Sequence, residues 1–371
     1  MKKGIHAIIL ASAFLLFAGC NNFLNESPAD GSVSEASIRA RGIWIVGGCN
    51  GSYASPVSQI DLFDPVTGIW YPSVTSLPVP VSFAAVGTGL YNGDRVLVVA
   101  GGFNAAGTPI DTVQRYDMDA DAWLPNGPVL PAPRANAGGA MNNNCLYVIG
   151  GTASAATITG TVTNTIYEYN VGSNAAIVQR GTIVAASAGM NREAVPYEDT
   201  VLYFGGRTPP ATIATVNDGF FISTGGATAA VETTFPTSYR RVGNSVVIYK
   251  PAASGTKVLS LGGIQTIAAT SSFLLNIGGS GTPLSTCYYL NYPFTSSWTA
   301  TTNGLPIGLA CGAAALYEDT VYYFGGVQLF AFGSCQAGVY SSSLTGLPAL
   351  NWKSQENMPV ARYGHAAVRV Q

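Results

Sequence analysis

The stretch LYVIGG (146–151) joins a run of strand-forming residues to a pair of glycines, and this pattern occurs six times in the chain. β-Branched and aromatic residues favour extended strands, whereas glycine adopts the positive φ angles that a sharp turn needs. The other five runs are WIVGG (44–48), VLVVAGG (96–102), VLYFGG (201–206), VLSLGG (258–263) and VYYFGG (321–326). The first glycines stand at positions 47, 101, 150, 205, 262 and 325, which indicates a tandem array of similar units.

The remainder of each unit also recurs. A strand with an aromatic residue and an acid follows the glycine pair, as in LFD (62–64) and RYD (115–117), and a proline-rich turn such as LPVP (77–80) comes later. Four units carry a tryptophan between these two features, at Trp70, Trp123, Trp298 and Trp352. Four short strands separated by turns predict one four-stranded blade per unit, with the large aromatic residues buried between adjacent blades.

This arrangement resembles the kelch family of β-propellers over about residues 42–371. The resemblance implies an all-β, six-bladed propeller of kelch type around a central channel. Units three and four lack the tryptophan, and unit five carries an insertion between Gly263 and Tyr288. Kelch-like propellers commonly bind proteins or glycans through the face that carries the loops after the glycine pairs.

The closing stretch PVARYGHAAVRVQ (359–371) alternates apolar and polar residues like a strand with one buried face. The first unit begins with its second strand at Ile43, because the preceding GSVSEASIRARG is too polar for an inner strand. We therefore expect residues 363–370 to pair with residues 43–48 and to complete blade one from both termini. A ring closed in this way leaves no sheet edge between the first and last blades.

The N-terminus precedes the fold. A basic start, a short apolar stretch and FAGC (17–20) resemble a bacterial lipoprotein signal peptide, with a lipobox ending at Cys20. The resemblance implies that residues 1–19 are removed and that Cys20 carries the lipid, with residues 20–41 as a polar tether. It further implies an extracytoplasmic protein anchored to a bacterial membrane, at the outer membrane or the cell surface.

Composition excludes several classes of partner and site. Net charge is −2 and only 10% of residues are charged, so no strong field favours nucleic acid. No P-loop, nucleophile-elbow or HExxH motif occurs, and no metal or other cofactor is expected. Five cysteines remain after Cys20, an odd number without CxxC spacing, and we expect small buried residues at Cys49, Cys145, Cys287, Cys311 and Cys335.

Arginines recur near the starts of the innermost strands. Arg134, Arg241 and Arg362 occupy matching positions, and Arg192 lies about three residues further along its strand. A partial ring of guanidinium groups at the channel mouth would bind a carboxylate, sulfate or phosphate. The alternative is that each arginine packs on an aromatic ring or bonds a carbonyl between blades.

A catalytic alternative uses different residues. His365 is the only histidine after the signal peptide, and Glu193 is the only acid that we expect near the channel. Some periplasmic kelch propellers are sialic-acid mutarotases, which bind a sugar acid with Arg, Glu and His. Arg192, Glu193 and His365 match those residue types without matching a motif. A copper oxidase of the galactose-oxidase kind needs two histidines, and one mature histidine argues against it.

Two further features concern loops and turns. Glu198-Asp199 and Glu318-Asp319 both occur in YEDTV sequences, and their repetition favours hairpin-turn residues. Long loops at 152–165, 207–219 and 264–286 follow glycine pairs and should project from one face. The sequence therefore favours a binding module for a protein or glycan, including an anionic one, over an enzyme.

Overall fold

The computed structural model describes residues 33–52, 54–154, 162–183, 193–206, 218–223, 229–234, 241–252, 254–264, 282–292, 297–328 and 335–370. Within these ranges the chain is almost entirely β-sheet, with one short helix before the first strand. No helix in the described ranges is both long and apolar enough to cross a membrane.

The strands form six antiparallel sheets of four strands each. Three sheets comprise β1 (Ile43–Val46), β2 (Gln59–Phe63), β3 (Trp70–Ser76) and β24 (Ala366–Arg369); β4 (Ala85–Tyr91), β5 (Asp94–Ala100), β6 (Val113–Asp117) and β7 (Ala122–Leu124); and β8 (Gly138–Asn142), β9 (Cys145–Ile149), β10 (Thr165–Asn170) and β11 (Val178–Thr182).

The other three comprise β12 (Glu193–Tyr197), β13 (Thr200–Phe204), β14 (Asp218–Ser223) and β15 (Ala229–Thr234); β16 (Ser245–Tyr249), β17 (Lys257–Leu261), β18 (Cys287–Asn291) and β19 (Thr299–Ala300); and β20 (Ala313–Tyr317), β21 (Thr320–Phe324), β22 (Val339–Ser343) and β23 (Lys353–Ser354).

The innermost strands form a closed ring in the order β4, β8, β12, β16, β20, β24 and back to β4. The sheets are therefore arranged around a central axis as the blades of an all-β propeller. Within each sheet the strand with a run such as LYVI lies next to the innermost strand and is almost wholly buried, as Cys145–Ile149 is in β9.

The pairing of the two ends of the chain is confirmed. β24 pairs antiparallel with β1, with Ile43 opposite Arg369 and Val46 opposite Ala366. β1 in turn pairs with β2, so β1 has a neighbour on both sides. The strand that appears isolated in the sequence is thus the innermost strand of the sheet that begins the chain.

The glycine pairs have the conformation that the sequence predicts. In all six pairs both glycines have positive φ, near +60° at the first and between +82° and +99° at the second. At Gly47 a Cβ atom would lie 2.5 Å from the carbonyl oxygen of Val81. No other residue type fits this turn without displacing the start of the neighbouring blade.

A feature that the sequence does not reveal surrounds the start of the innermost strands. Five equivalent residues, which we call the collar, all have φ between +53° and +63°: Phe83, Asn136, Gly243, Cys311 and Gly364. Backbone hydrogen bonds link them from blade to blade, from Gly364 N to Cys311 O at 2.8 Å and from Phe83 N to Gly364 O at 2.7 Å. Two more such bonds join Asn136 to Phe83 and Cys311 to Gly243.

The tryptophans lie between blades, as predicted. Trp70 contacts Phe324 of the last blade, with ring centroids 6.0 Å apart. Trp298, almost fully buried, contacts Phe204 of the preceding blade at the same centroid distance. These aromatic contacts join sheets that share no strand pairing, and they supply large buried areas between them.

The segment preceding β1 differs from the expected tether in part. Residues 20–32 lie outside the described ranges, but α1 (Glu35–Arg41) is a helix with Ser34 as its N-cap. Arg39 is 4% exposed and donates a hydrogen bond to the hydroxyl of Tyr116, and Arg41 forms a bidentate pair with Asp64. Charged residues that look like a solvated tether in the sequence are here partners of acids on the propeller.

Candidate functional site

The centre of the propeller contains a channel of about 570 Å³, lined by all six innermost strands. Its wall exposes polar and apolar surface in about equal parts, and the apolar lining residues include Val86, Met141, Val195, Val247 and Val368. One end lies beside the collar. Cys311 of the collar belongs there to a buried apolar cluster with Cys49, Phe103 and Tyr363, against which Phe83 packs.

On each innermost strand, one residue is paired with the residue of the neighbouring strand that precedes the glycine pair. Five strands have a small residue there, namely Ala85, Gly138, Ser245, Ala313 and Ala366. In β12 the residue is Glu193, paired with Phe204. A carboxylate therefore extends into the channel wall at a level where the other blades present almost no side chain.

Glu193 has no charged partner among the described residues. Burial raises the pKa of its carboxyl group to about 7, because the charged form loses solvation. Near neutral pH this side chain therefore exists in both protonation states. The expectation that Glu193 lies near the channel is confirmed.

His365 lines the same channel from the position immediately before β24, on the opposite side of the ring from β12. It is 8% exposed, and neither ring nitrogen has a hydrogen bond of normal geometry. Burial, and secondarily the charge of Arg362, lowers the pKa of His365 to about 3. The imidazole is therefore neutral at physiological pH.

Cationic lining residues lie toward the other end of the channel. Lys250 follows β16 and is exposed, with its ammonium 5.1 Å from the ring centre of Tyr197. Arg369 stacks on Tyr317 at 4.7 Å and donates a hydrogen bond to the carbonyl of Leu316. Neither residue is recognisable as a lining residue from the sequence, because only the register places the ends of β16 and β24 at one mouth.

The described arginines of the predicted anion-binding ring do not line the channel. Arg134 donates to the hydroxyl groups of Thr165 and Tyr167, both at 2.8 Å, and stacks on the Tyr167 ring. Arg241 in the same way donates to Thr286 and stacks on Tyr288. Each side chain spans from the segment before the innermost strand to the third strand of its own blade.

Arg362 is the most enclosed of these arginines. It is fully buried, forms an ion pair with the equally buried Asp61 on β2, and donates to the carbonyl of Gln59 at 2.9 Å. Asp61 also accepts from the backbone N–H of Ser73 at 2.8 Å. Arg134 and Arg241 thus pack on aromatic rings as in the structural alternative, although the hydrogen bonds described for these arginines lie within one blade and not between blades. An anion-binding role for Arg134, Arg241 and Arg362 stays a prediction, and Arg192 lies outside the described residues.

The other predicted residue roles can be placed in the same way. Glu198 and Glu318 both have φ of +49° and sit in two-residue hairpin turns, which confirms them as turn residues. The five cysteines other than Cys20 are free thiols, and burial raises the pKa of Cys49 to about 12. Among the residues that the structure describes, no cluster of His, Cys, Asp or Glu could hold a metal ion.

The comparison with protein families supports the kelch assignment. Residues 133–175 match the family model for the Kelch motif. This segment contains β8, β9 and β10, and it includes the glycine pair Gly150–Gly151. No curated protein sequence matches the chain significantly. The fold is that of a β-propeller, and the motif match supports the kelch type, a class that suggests a protein-interaction module.

Proposed function

We propose that this protein is a lipid-anchored, extracytoplasmic propeller that binds a protein or glycan ligand through the face carrying the loops after the glycine pairs. The proposal rests on a Kelch motif within a closed propeller. The loops after the glycine pairs are joined to the propeller by the same kind of backbone bridge in five blades. Rigid scaffolds that present several loops on one face are well suited to recognition.

The attachment of the loops is the same in five blades. The residue after each glycine pair forms one antiparallel bridge to the segment before the innermost strand and a second to the returning loop. Cys49 bridges Tyr363 and Pro56, and Phe103 bridges Ser82 and Pro109. Thr152, Ile264 and Val327 repeat the arrangement. The central parts of the loops at 155–161, 207–217 and 265–281 lie outside the described residues.

The binding proposal is tested by changing one face at a time. In the first variant a Gly-Ser linker replaces residues 265–281 of the loop face. In the control, Asn-Gly replaces Glu198-Asp199 and Glu318-Asp319. These residues form hairpin turns at the ends of the strands opposite to the glycine pairs. After chemical crosslinking in the native host, quantitative mass spectrometry should detect a ligand protein with wild type and the control but not with the loop variant. Equal recovery with both variants would contradict the loop-face proposal.

The anchoring part is tested separately through Cys20. Acyl chains contribute about 0.8 kcal/mol for each buried CH₂, so a multiply acylated Cys20 would hold the protein on the membrane. Cys20→Ala should move the protein to the soluble fraction, whereas Cys335→Ala, which changes another thiol, should leave it in the membrane fraction. Membrane retention of Cys20→Ala would reject lipidation at this residue.

The sugar-acid mutarotase remains the second proposal, because Glu193 and His365 line one channel from opposite strands. Mutarotation of freshly released α-N-acetylneuraminate, followed by NMR, tests it. A rate equal to that in buffer rejects this activity, whatever the result for protein binding.

A further inference from the structure

The channel has polar groups near the collar, cationic residues near its other mouth, and apolar side chains between them. Glu193, Ser245 and His365 lie at or next to the same level on three different strands. The valines at 86, 195, 247 and 368 line the stretch toward the other mouth. A ligand that fills the space must therefore combine a polar end with an apolar body.

Three of the polar groups at this end offer acceptors, whereas the Nδ2 of Asn136, which also lines the channel, is an unbonded donor. Ser245 already donates its hydroxyl hydrogen to the carbonyl of Gly312 at 2.8 Å, so only its lone pairs remain. His365 is 8% exposed, neither of its ring nitrogens has a hydrogen bond of normal geometry, and one of them is an acceptor in neutral imidazole. Glu193 has no charged partner among the described residues and contributes carboxylate oxygens.

Charge is distributed unevenly along the channel. Glu193 is the acidic lining residue near the collar, whereas Arg369 and Lys250 lie three and five residues beyond the level of Glu193 on their own strands. At about 3.3 Å per residue these cations are about 10 and 16 Å further along the axis. Neither can neutralise Glu193, and an ionised carboxylate without a partner is costly in an apolar cavity.

We propose that the channel binds a small organic molecule with a primary ammonium group on an apolar body. The ammonium donates to Glu193 and to the acceptors of Ser245 and His365, and the body lies against the valines. An ammonium has three donors and one positive charge, which match this end of the channel. A carboxylate or phosphate would be repelled by Glu193, so this proposal and the sugar-acid mutarotase exclude each other. This channel site does not depend on the loop-face proposal.

Three probes of equal length test the chemical class. Isothermal titration calorimetry at pH 8 compares n-hexylamine, hexan-1-ol and hexanoate with the wild-type protein. Hexylamine should bind about ten- to a hundredfold more tightly than hexan-1-ol, since one charge-assisted hydrogen bond is worth about that factor, and hexanoate should bind least. Glu193→Gln should reduce hexylamine affinity by the same factor and leave hexan-1-ol unchanged.

The matched control is Glu198→Gln, which removes a carboxylate from the turn that connects β12 to β13. It should leave all three affinities unchanged. Hexylamine affinity of the wild type should also rise between pH 5 and pH 8 as Glu193 ionises. Of the other groups near it, His365 stays neutral over this range, and burial raises the pKa values of Cys311 and Tyr323.

Several results would overturn the proposal. Equal affinity for amine and alcohol would exclude recognition of a cation. Unchanged hexylamine binding in Glu193→Gln would place the amine elsewhere, and absence of binding by all three probes would reject the site. If Glu193→Gln does not fold, the pH profile of the wild-type protein decides, because a flat profile contradicts a role for Glu193.

Discussion

At the scale of single residues, recurrence in the sequence does not reveal whether a side chain faces a ligand or the protein interior. Arg134, Arg241 and Arg362 recur because each reaches from the start of an innermost strand to the third strand of its blade. Glu193 breaks a pattern of small residues, and it places a carboxylate in the channel wall. The exception to the repeat is thus the better pointer to a site.

Arg362→Ala should be strongly destabilising. The substitution leaves the carboxylate of Asp61 buried without its cation, and breaking such a pair costs about 3–5 kcal/mol in the free energy of unfolding. Arg95→Ala is the control, because Arg95 pairs with Asp119 at a partly exposed site and should cost about 1 kcal/mol or less. Urea denaturation measures both values, and similar losses for the two variants would contradict the assignment.

Glu193→Gln should change stability in a pH-dependent way. The unfolded carboxyl group ionises near its ordinary pKa of 4.5, whereas in the folded protein the pKa is about 7. The folded state therefore holds the proton over this interval, and Glu193 lowers the free energy of unfolding as pH rises from about 4.5 to 7. Relative to wild type, Glu193→Gln should gain up to about 3 kcal/mol between pH 4 and pH 8.

Urea denaturation at the two pH values measures this gain. His365 has the opposite dependence, since its lowered pKa removes stability as pH falls below about 6.5, but it is present in both proteins and cancels in the difference. Glu198→Gln, in the turn between β12 and β13, should show no such gain in the free energy of unfolding. The same wild-type-to-variant difference at pH 4 and pH 8 would show that Glu193 is not held in a desolvated site.

At the scale of secondary-structure elements, β24 and α1 show two ways in which terminal segments are held. β24 is fixed by backbone pairing with β1, and its own register places His365 in the channel wall. α1 is fixed by side chains, with Arg39 bonded to Tyr116 and Arg41 paired with Asp64. Hydrophobic alternation made the first predictable, whereas the second depends on acids far away in the sequence.

Deletion of residues 363–371 should expose the backbone groups of β1 and cause aggregation or a severe loss of stability. Light scattering and thermal melting measure the outcome. Deletion of residues 21–32, which leaves α1 and β24 intact, is the control and should melt like wild type. A monomeric protein with near-native melting after loss of the C-terminal residues would mean that the β1–β24 pairing contributes little.

At the scale of the whole molecule, the collar links successive blades by backbone hydrogen bonds. The amides of Phe83, Asn136, Cys311 and Gly364 each donate to the collar residue of the preceding blade. Opening one bond requires movement of a blade against both neighbours in a closed ring. The collar therefore couples the blades independently of side-chain packing.

These collar amides should exchange hydrogen with solvent only through global unfolding. Native-state hydrogen exchange measured at single residues should assign them free energies of opening equal to that of global unfolding. The amide of Ala106, in the turn of an exposed loop, is a suitable comparison and should exchange through local opening. Fast exchange at the collar would show that the innermost strands separate locally.

The sequence by itself determined the repeating unit, the turns at the glycine pairs, the tryptophans between blades and the pairing of the last strand with the first. These features follow from local conformational preferences and from a periodicity that each unit repeats. Only the tertiary structure decided where the described arginines point, how the collar forms, that α1 packs on the propeller, and that Glu193 has no cationic partner among the residues that the structure describes. Each of these depends on contacts between distant segments, whose distances and burial are set when the ring closes.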